Sequence, residues 1–311
     1  MSTLVQRWMG RGNTIKESYT FKDKLAGFVD ITRPILSLMG ALGVAAAAAF
    51  AYGGIPDWKQ CLLGIFAAFI TFAGIHTFND YVDSRRDLNC WPGRPIPSRR
   101  VVTNQALILA VSSFILALII IWLMFNPVCF AVCSISIILG CLYSAYLRDW
   151  IGYLVLPPIQ SLLWLCGWTA FSPDTLFSSE LPWVLYLFSA IWQSGHIMIY
   201  SPLHPIRKVK STKLTQVPAL FVTTSPKTAA TMGFVFFLIT FLLAIFLGFY
   251  ARLGLLFVIP VGIMGVFTSI LTFKFMRDAE NFSDGIKAFQ AVTYFMLVAR
   301  ILMLLSIFLF V

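Results

Sequence analysis

Three aspartates stand at helical spacing directly after a long apolar run of the chain. Asp80, Asp83 and Asp87 follow Asn79 in the pattern N-D-x-x-D-x-x-x-D. Positions i, i+3 and i+7 share one face of an α-helix, so these carboxylates repel one another unless a cation lies among them. A hard ion such as Mg²⁺ suits this set, because it takes one or two carboxylates and completes its octahedron with phosphate oxygens and water. The spacing therefore predicts a metal site.

The same pattern has a second interpretation, in which Arg85 and Arg86 form salt bridges with the aspartates at a solvated helix end. The choice depends on where the preceding apolar run, 58–80, lies. If that run crosses a membrane, polar groups at its end are costly and are functional candidates by default. The environment of the helix therefore has to be established from the whole chain.

The composition is that of an integral membrane protein. Mean hydropathy is +0.84, and 12% of the 311 residues are charged, whereas soluble domains carry about 25%. Apolar runs close to the length of a membrane span recur along the chain. We predict an all-α bundle of nine such helices forming a single domain, 34–311, after a basic N-terminal segment, 1–33. The nine predicted spans are 34–53, 58–80, 104–125, 127–146, 150–172, 181–200, 228–250, 252–274 and 288–311.

Positive charge is sorted between the two faces of this bundle. All but three of the 23 lysines and arginines fall in the N-terminal segment or in alternate loops, on the same face as the aspartates; the exceptions are Lys59, Arg252 and Arg300. The positive-inside rule places that face in the cytosol, facing out of the endoplasmic reticulum in a eukaryote. We expect the net charge of +10 to serve topology and a polyanionic ligand there. We expect the lipid bilayer as a partner, and we expect neither nucleic acid nor an obligate protein partner.

Three short segments resemble the UbiA superfamily of intramembrane prenyltransferases. "NDYVDSRRD" followed by "GRPIPS" resembles the first aspartate signature of that family, and "YSAYLRD", Tyr143 to Asp149, resembles its Y-S-x-x-L-K/R element. "TRP" at Thr32 to Pro34 resembles the start of the family's first helix. The resemblance covers essentially the whole chain and implies a nine-helix bundle with a central cavity open to the cytosolic side.

By this resemblance, an isoprenyl diphosphate is the substrate and Mg²⁺ the cofactor. Asp80, Asp83 and Asp87 would hold Mg²⁺ on the diphosphate, with Asn79 assisting catalysis. The resemblance also implies that three further side chains lie near the diphosphate. They are the cations of Arg94 and Arg148 and the phenol of Tyr143. Ionisation would leave an allyl cation, which a dry cavity protects from water.

The chain departs from the family after its sixth predicted span. Where members usually carry a second aspartate motif, this chain reads "LHPIRKVKSTKLTQVP", with His204 and Lys208 at the two aspartate positions. One interpretation is lost activity or a wrong alignment. In the other, Arg207, Lys208 and Lys210 bind the diphosphate directly, without a second metal, and His204 assists as a donor.

Few polar groups are available deeper in the bundle. Gln193, His196 and Tyr200 form a stripe at i, i+3, i+7, and Gln160 lies in the preceding span. These four are candidate pocket residues, although interhelical hydrogen bonding explains the stripe equally well. The chain is instead rich in aromatic residues, with 29 Phe, 10 Tyr and 9 Trp, whose ring faces stabilise cations.

The eroded second motif and the aromatic composition lead to one functional expectation with two alternatives. We expect a terpene cyclase of secondary metabolism that ionises and cyclises a C15 or C20 prenyl diphosphate, farnesyl or geranylgeranyl, without a second substrate. The first alternative is a prenyltransferase that moves the prenyl group to an aromatic or lipid acceptor. The second is a non-catalytic protein that binds prenyl lipids.

Overall fold

The computed structural model describes residues 16–148, 155–203 and 224–310. The fold of this part is all-α, as the sequence predicts. A π-helical turn, Tyr143–Leu147, continues the fifth helix, and short 3₁₀ turns lie at Pro173–Thr175 and Ser201–Leu203. The helices are α1 (Phe21–Ile31), α2 (Pro34–Tyr52), α3 (Trp58–Cys90), α4 (Thr103–Met124), α5 (Pro127–Leu142), α6 (Leu156–Thr169), α7 (Leu181–Tyr200), α8 (Pro226–Tyr250), α9 (Gly254–Arg277) and α10 (Phe282–Phe310).

Helices α2 to α10 correspond to the nine predicted spans, and α1 is a short additional helix. Within the described residues, seven helical segments are long and apolar enough to cross a membrane. Large apolar side chains such as Leu123 and Ile263 are exposed on their outer faces, as lipid contact requires. The chain is therefore a multi-pass membrane protein.

Helices α6 and α7 are not among those seven, because the described part of one is too short and the other is not apolar enough. The described part of α6 has only 14 residues, and α7 carries Gln193 and His196, which lower its hydropathy. Nearly all of α6 is buried, because it packs between α2, α5 and α7. A helix in the centre of a bundle does not need the apolar surface that lipid-facing helices need.

One predicted boundary differs from the structure by ten residues, and another lies outside the described residues. The second predicted span ends at residue 80, but α3 continues to Cys90, so Arg85 and Arg86 are helical rather than part of a loop. Hydropathy marks where the apolar run ends, whereas the helix continues because polar residues also propagate it. The fifth span is predicted to begin at residue 150. That residue lies in the range 149–154, which is outside the described residues, so this boundary stays a prediction.

Local sequence explains where several helices begin and end. The side chains of Asn126 and Ser225 accept hydrogen bonds from backbone amides in the first turns of α5 and α8, and a proline follows each of them. These are the preferred residues at a helix N-terminus. Helix α2 ends at Gly53, whose φ of 75° is accessible to glycine without steric cost.

The bundle closes on itself through α10. Consecutive helices pack side by side, and α10 returns to contact α2 and α7. Close approach at the centre depends on glycine: a Cβ at Gly43 of α2 would come within 2.5 Å of the Trp164 indole on α6. The buried core around Trp164 includes Phe188 and Trp192 of α7.

Helix α1 is fastened to the loop that follows α3. Arg100 is buried, and its Nη1 donates to Asp30 Oδ2 of α1 at 2.6 Å while its Nη2 donates to the Gly93 carbonyl at 3.0 Å. Gly27 of α1 lets the helix approach this loop, because a Cβ there would lie 2.9 Å from the Arg100 Cβ. The loop, residues 91–102, is thereby held against the bundle.

Removing Arg100 should destabilise the protein. Arg100→Ala removes the Arg100 guanidinium from the largely buried Asp30 carboxylate, and breaking a buried ion pair costs about 3 kcal/mol. Thermal unfolding in detergent measures the effect, with Arg277→Ala, at an exposed arginine of α9, as the control. Equal melting temperatures of the two variants would contradict the role assigned to this ion pair.

Candidate active site

The last turns of α3 carry the three aspartates on one buried face. Asp80, Asp83 and Asp87 are 4%, 6% and 3% exposed, as their i, i+3, i+7 spacing predicts for one stripe of a helix. Burial of three ionised carboxylates is tolerated only when cations pair with them. The partners of these groups therefore define the site.

Asp83 has two arginine partners. Arg148 forms a two-pronged ion pair with it, in which Nη1 lies 2.7 Å from Oδ2 and Nη2 contacts Oδ1. Arg86, one turn along α3, also contacts Oδ1. The salt-bridge interpretation of the sequence named Arg86 correctly, and the structure adds Arg148, which is distant in sequence.

Asp80 and Asp87 share the cation of Arg94. Its Nη1 lies 2.6 Å from Asp87 Oδ2 and 3.6 Å from Asp80 Oδ1. Burial alone would lower the pKa of the Arg94 guanidinium, but the charges of Asp87 and Asp80 raise that pKa above its usual value. Arg94 is therefore a permanent cation. Its guanidinium also lies 5.5 Å from the centroid of the Trp91 ring.

Arg33 is a site residue that the sequence analysis did not single out. It precedes α2, and its guanidinium contacts Asp80 Oδ1. Its φ of 46° is uncommon for a non-glycine residue and turns the chain between α1 and α2. The "TRP" segment was the available signal, since Pro34 marks the helix start and makes Arg33 the residue at the bend.

The π-helical turn after α5 positions both Asn79 and Arg148. Asn79 Nδ2 donates to Ser144 Oγ at 3.4 Å, and Arg148 Nη2 donates to the Ser144 carbonyl at 3.3 Å. Tyr143, at the start of the turn, is buried. Such turns shift the register of a helix and occur frequently at functional sites. Here the turn brings the "YSAYLR" segment onto the aspartate face.

The arrangement fits a metal that is shared with a bound anion better than a metal held by protein alone. Among the described residues, no three His, Cys, Asp or Glu side chains form a ready-made metal cage. Mg²⁺ commonly uses only one or two carboxylates and takes its other ligands from phosphate and water. Four guanidiniums against three carboxylates also leave the cluster cationic, which favours an anionic ligand.

An aromatic wall continues from this cluster into the bundle. Trp91 stacks on Tyr200 with centroids 6.5 Å apart, and Tyr200 contacts Phe289 at 5.5 Å. The His196 ring lies between Phe289 and Trp192 at 4.4 and 5.0 Å. The wall joins the predicted pocket residues Tyr200 and His196 to the arginine and aspartate cluster.

The other predicted pocket residues have different positions. His196 Nε2 lies 3.1 Å from Thr293 Oγ1 of α10, so this member of the stripe makes the interhelical hydrogen bond that was the alternative interpretation. Gln193 is on α7 with Oε1 buried, and Gln160 is half-buried on α6. The basic set predicted after α7 lies outside the described residues; it comprises His204, Arg207, Lys208 and Lys210.

An apolar cavity of about 320 Å³ lies among helices α2 to α6. Its lining includes Val44, Thr71 and Cys133. Thr71 precedes Asp80 by nine residues, so this cavity begins roughly 13 Å along α3 from the aspartates. The cavity therefore lies within the apolar part of the bundle, and the predicted opening to the cytosolic side stays a prediction.

Comparison with known proteins identifies the family. The model of the UbiA prenyltransferase family matches residues 40–309. The chain is 35% identical over 123 residues to a digeranylgeranylglyceryl phosphate synthase of Methanoregula boonei, covering 40% of this chain and 43% of the relative. It is 28% identical over 179 residues to a 4-hydroxybenzoate octaprenyltransferase of Vibrio campbellii, covering 54% of this chain and 59% of the relative. These matches span about half the length of the relatives.

Solved structures match over nearly the whole fold. The apo structure of a UbiA homologue from Aeropyrum pernix superposes with a TM-score of 0.67 at 15% identity, covering 88% of this chain and 97% of that one. A UbiA homologue from Archaeoglobus fulgidus, solved with DMAPP and Mg²⁺, has a TM-score of 0.59 at 16% identity, covering 89% and 98%. From the family match and the shared fold we conclude that this chain belongs to the UbiA prenyltransferase family.

Proposed function

We propose that this protein is a membrane-embedded prenyltransferase that ionises an isoprenyl diphosphate and moves the prenyl group to an acceptor. The observation that carries the proposal is the buried face of α3, where three aspartates meet arginines from α3 itself, the start of α2, the loop after α3 and the turn after α5. A diphosphate is the anion that such a cluster of carboxylates and guanidiniums can bind together with a divalent metal.

The relatives favour transfer over the cyclisation that the sequence led us to expect. Those at 35% and 28% identity are named as a synthase of digeranylgeranylglyceryl phosphate and as a 4-hydroxybenzoate octaprenyltransferase. Both names denote attachment of a prenyl group to an acceptor. None of the named relatives supports a terpene cyclase or a role in secondary metabolism, so we propose the transferase alternative.

Asp80, Asp83 and Asp87, assisted by Asn79, are the residues that would hold Mg²⁺. Two of the solved structures, both of a UbiA homologue from Archaeoglobus fulgidus, contain Mg²⁺ together with a prenyl diphosphate, DMAPP in one and GPP in the other. Held by these carboxylates, Mg²⁺ would neutralise negative charge on the leaving diphosphate. The rest of the chemistry falls to the arginines and to the wall around the prenyl group.

The arginines can pass from carboxylate to phosphate. In the structure, Arg33, Arg94 and Arg148 each donate to an aspartate. With a diphosphate bound at the aspartates, these guanidiniums would donate to its phosphate oxygens. The donors are already in place where negative charge develops, which stabilises the departing diphosphate without costly rearrangement.

The allylic carbon would face the aromatic wall. Trp91, Tyr200 and Phe289 form consecutive ring contacts beside Arg94. Ring faces stabilise an allyl cation at roughly 0.5–2 kcal/mol each, and their bulk excludes water that would quench it. The apolar cavity among α2 to α6 offers volume for the isoprenoid tail.

The basic loop and the orientation of the chain are also part of the proposal. His204, Arg207, Lys208 and Lys210 would add cations around the diphosphate where relatives use a second aspartate motif. The charge distribution of the loops supports an active-site mouth and an N-terminus in the cytosol, at the endoplasmic reticulum in a eukaryote. We propose the bilayer and the prenyl diphosphate as partners and no obligate protein partner.

Removing one carboxylate should abolish turnover. Asp80→Asn and Asp83→Asn keep side-chain volume but lose the charge that holds the metal, so diphosphate release from geranylgeranyl diphosphate should fall about 100-fold or more. Asp57→Asn is a matched control, because Asp57 caps the opposite end of the same helix and asparagine caps equally well. Full activity of Asp80→Asn and Asp83→Asn would refute the proposed site.

Product formation should require an acceptor. Purified protein with Mg²⁺ and a prenyl diphosphate should give a prenylated product when 4-hydroxybenzoate or a glyceryl phosphate lipid is supplied, and no cyclic hydrocarbon without it. Mass spectrometry of organic extracts distinguishes these cases, with Asp83→Asn as the inactive control. A cyclic hydrocarbon formed without acceptor would overturn the transferase proposal, and unchanged prenyl diphosphate under all conditions would favour the non-catalytic alternative.

A further inference from the structure

Arg300 is a buried cation in the membrane-spanning part of α10. Its side chain is 2% exposed, and no carboxylate of a described residue lies within ion-pair distance. Charged groups at such positions are expensive and usually line a substrate or ion site. Arg300 is one of the three basic residues that do not follow the sorting of charge between the two faces. The burial of its cation therefore needs an explanation.

The contacts of Arg300 place it where four helices meet. Its Nη1 donates to the Met39 carbonyl of α2. Its guanidinium carbon lies 5.0 Å from the Trp164 ring centroid of α6 and 5.4 Å from that of Trp192 on α7. Two indole faces and one carbonyl hold the cation, but Nε has no hydrogen-bond partner among the described residues.

Two more polar atoms near the tryptophans lack partners within the described part of the chain. Ser161 Oγ lies one turn before Trp164 on α6, and Gln193 Oε1 belongs to the residue after Trp192 on α7. Buried polar groups are nearly always paired, so each exception needs an explanation. Like Arg300 Nε, these are buried polar atoms, and they belong to the two helices whose tryptophans flank the guanidinium.

Arg300 lies a short distance below the aspartate cluster. Met39 follows Arg33 by six residues on α2, which corresponds to roughly 9 Å along the helix axis. Arg33 contacts Asp80, so the Arg300 guanidinium is separated from the aspartate level by about the length of one substituted aromatic ring. The wall of Tyr200, His196 and Trp192 runs between the two levels.

We propose that Arg300, flanked by Trp164 and Trp192, is the subsite that anchors the carboxylate of an aromatic acceptor. The ring of the acceptor would lie along the aromatic wall, with its other end facing the allylic carbon. The surroundings suit a carboxylate better than a phosphate monoester, because one guanidinium balances a single negative charge and no second cation of a described residue is placed beside it. This inference rests on the proposed transferase function and adds the chemical class of the acceptor.

Steady-state kinetics with a matched pair of acceptors tests the subsite. 4-Hydroxybenzoate and its methyl ester differ in charge and little in ring shape. In wild-type protein the acid should be the better acceptor. In Arg300→Gln, KM for the acid should rise about 30-fold or more, while KM for the ester stays the same; Arg300→Lys, which keeps the charge, should lie between. Arg252→Gln, at an arginine in the turn between α8 and α9, is the control.

Binding without turnover separates this inference from the proposed function. Quenching of tryptophan fluorescence by 4-hydroxybenzoate should include Trp164 and Trp192 among the nine tryptophans of the chain, and it should weaken in Arg300→Gln even if no prenyl transfer is observed. If Arg300→Gln does not fold, the preference of wild-type protein for the acid and the behaviour of Arg300→Lys decide. Equal affinity for acid and ester, an unchanged KM in Arg300→Gln, or preference for a phosphate-bearing acceptor would overturn the assignment.

Discussion

Burial of three carboxylates at the end of an apolar helix is the constraint on which the rest of the site depends. Asp80, Asp83 and Asp87 lie buried on one stripe of α3, where desolvation and mutual repulsion of the carboxylates both cost free energy. The protein meets this cost with arginine forks from several segments of the chain. In the proposed function the same forks would bind an anion, so structural compensation and the proposed chemistry use the same atoms.

The elements around α3 can be understood as supports for those arginines. The bend at Arg33 turns a guanidinium towards Asp80, the π-helical turn brings Arg148 to Asp83, and the loop after α3 presents Arg94. That loop is in turn held by the buried pair of Arg100 and Asp30. Each device lies at the end of a membrane helix, where the chain can leave regular helical geometry without exposing backbone groups to lipid.

Local features of this fold could be predicted from the sequence, and contacts between distant segments could not. Apolar runs gave the all-α class and the nine spans, and helical spacing placed the aspartates on one face. The helix carrying them extends ten residues beyond the predicted end, because hydropathy measures solvation rather than helix formation. Arg33 was missed because it meets Asp80, 47 residues away, only after the helices pack.

The reaction type depends on parts of the bundle that the aspartate motif does not specify. Ionisation requires a metal and cations at the mouth, whereas the fate of the allyl cation depends on what lies deeper. An aromatic composition fits a cyclase and a transferase equally well, so the expectation of cyclisation rested on the eroded second aspartate motif. In the packed structure a few of these rings, from Trp91 to Trp192, form one wall, and that wall leads to the cation of Arg300.

The central claim is that the α3 aspartates and their arginines bind a prenyl diphosphate through Mg²⁺. Isothermal titration of wild-type protein with a non-reactive prenyl thiodiphosphate, with and without Mg²⁺, tests it most directly. The account predicts that Mg²⁺ tightens binding about tenfold or more, and that this dependence disappears in Asp83→Asn while the analogue still binds weakly to the arginines. Equal affinity with and without Mg²⁺, or an unchanged dependence in Asp83→Asn, would contradict it.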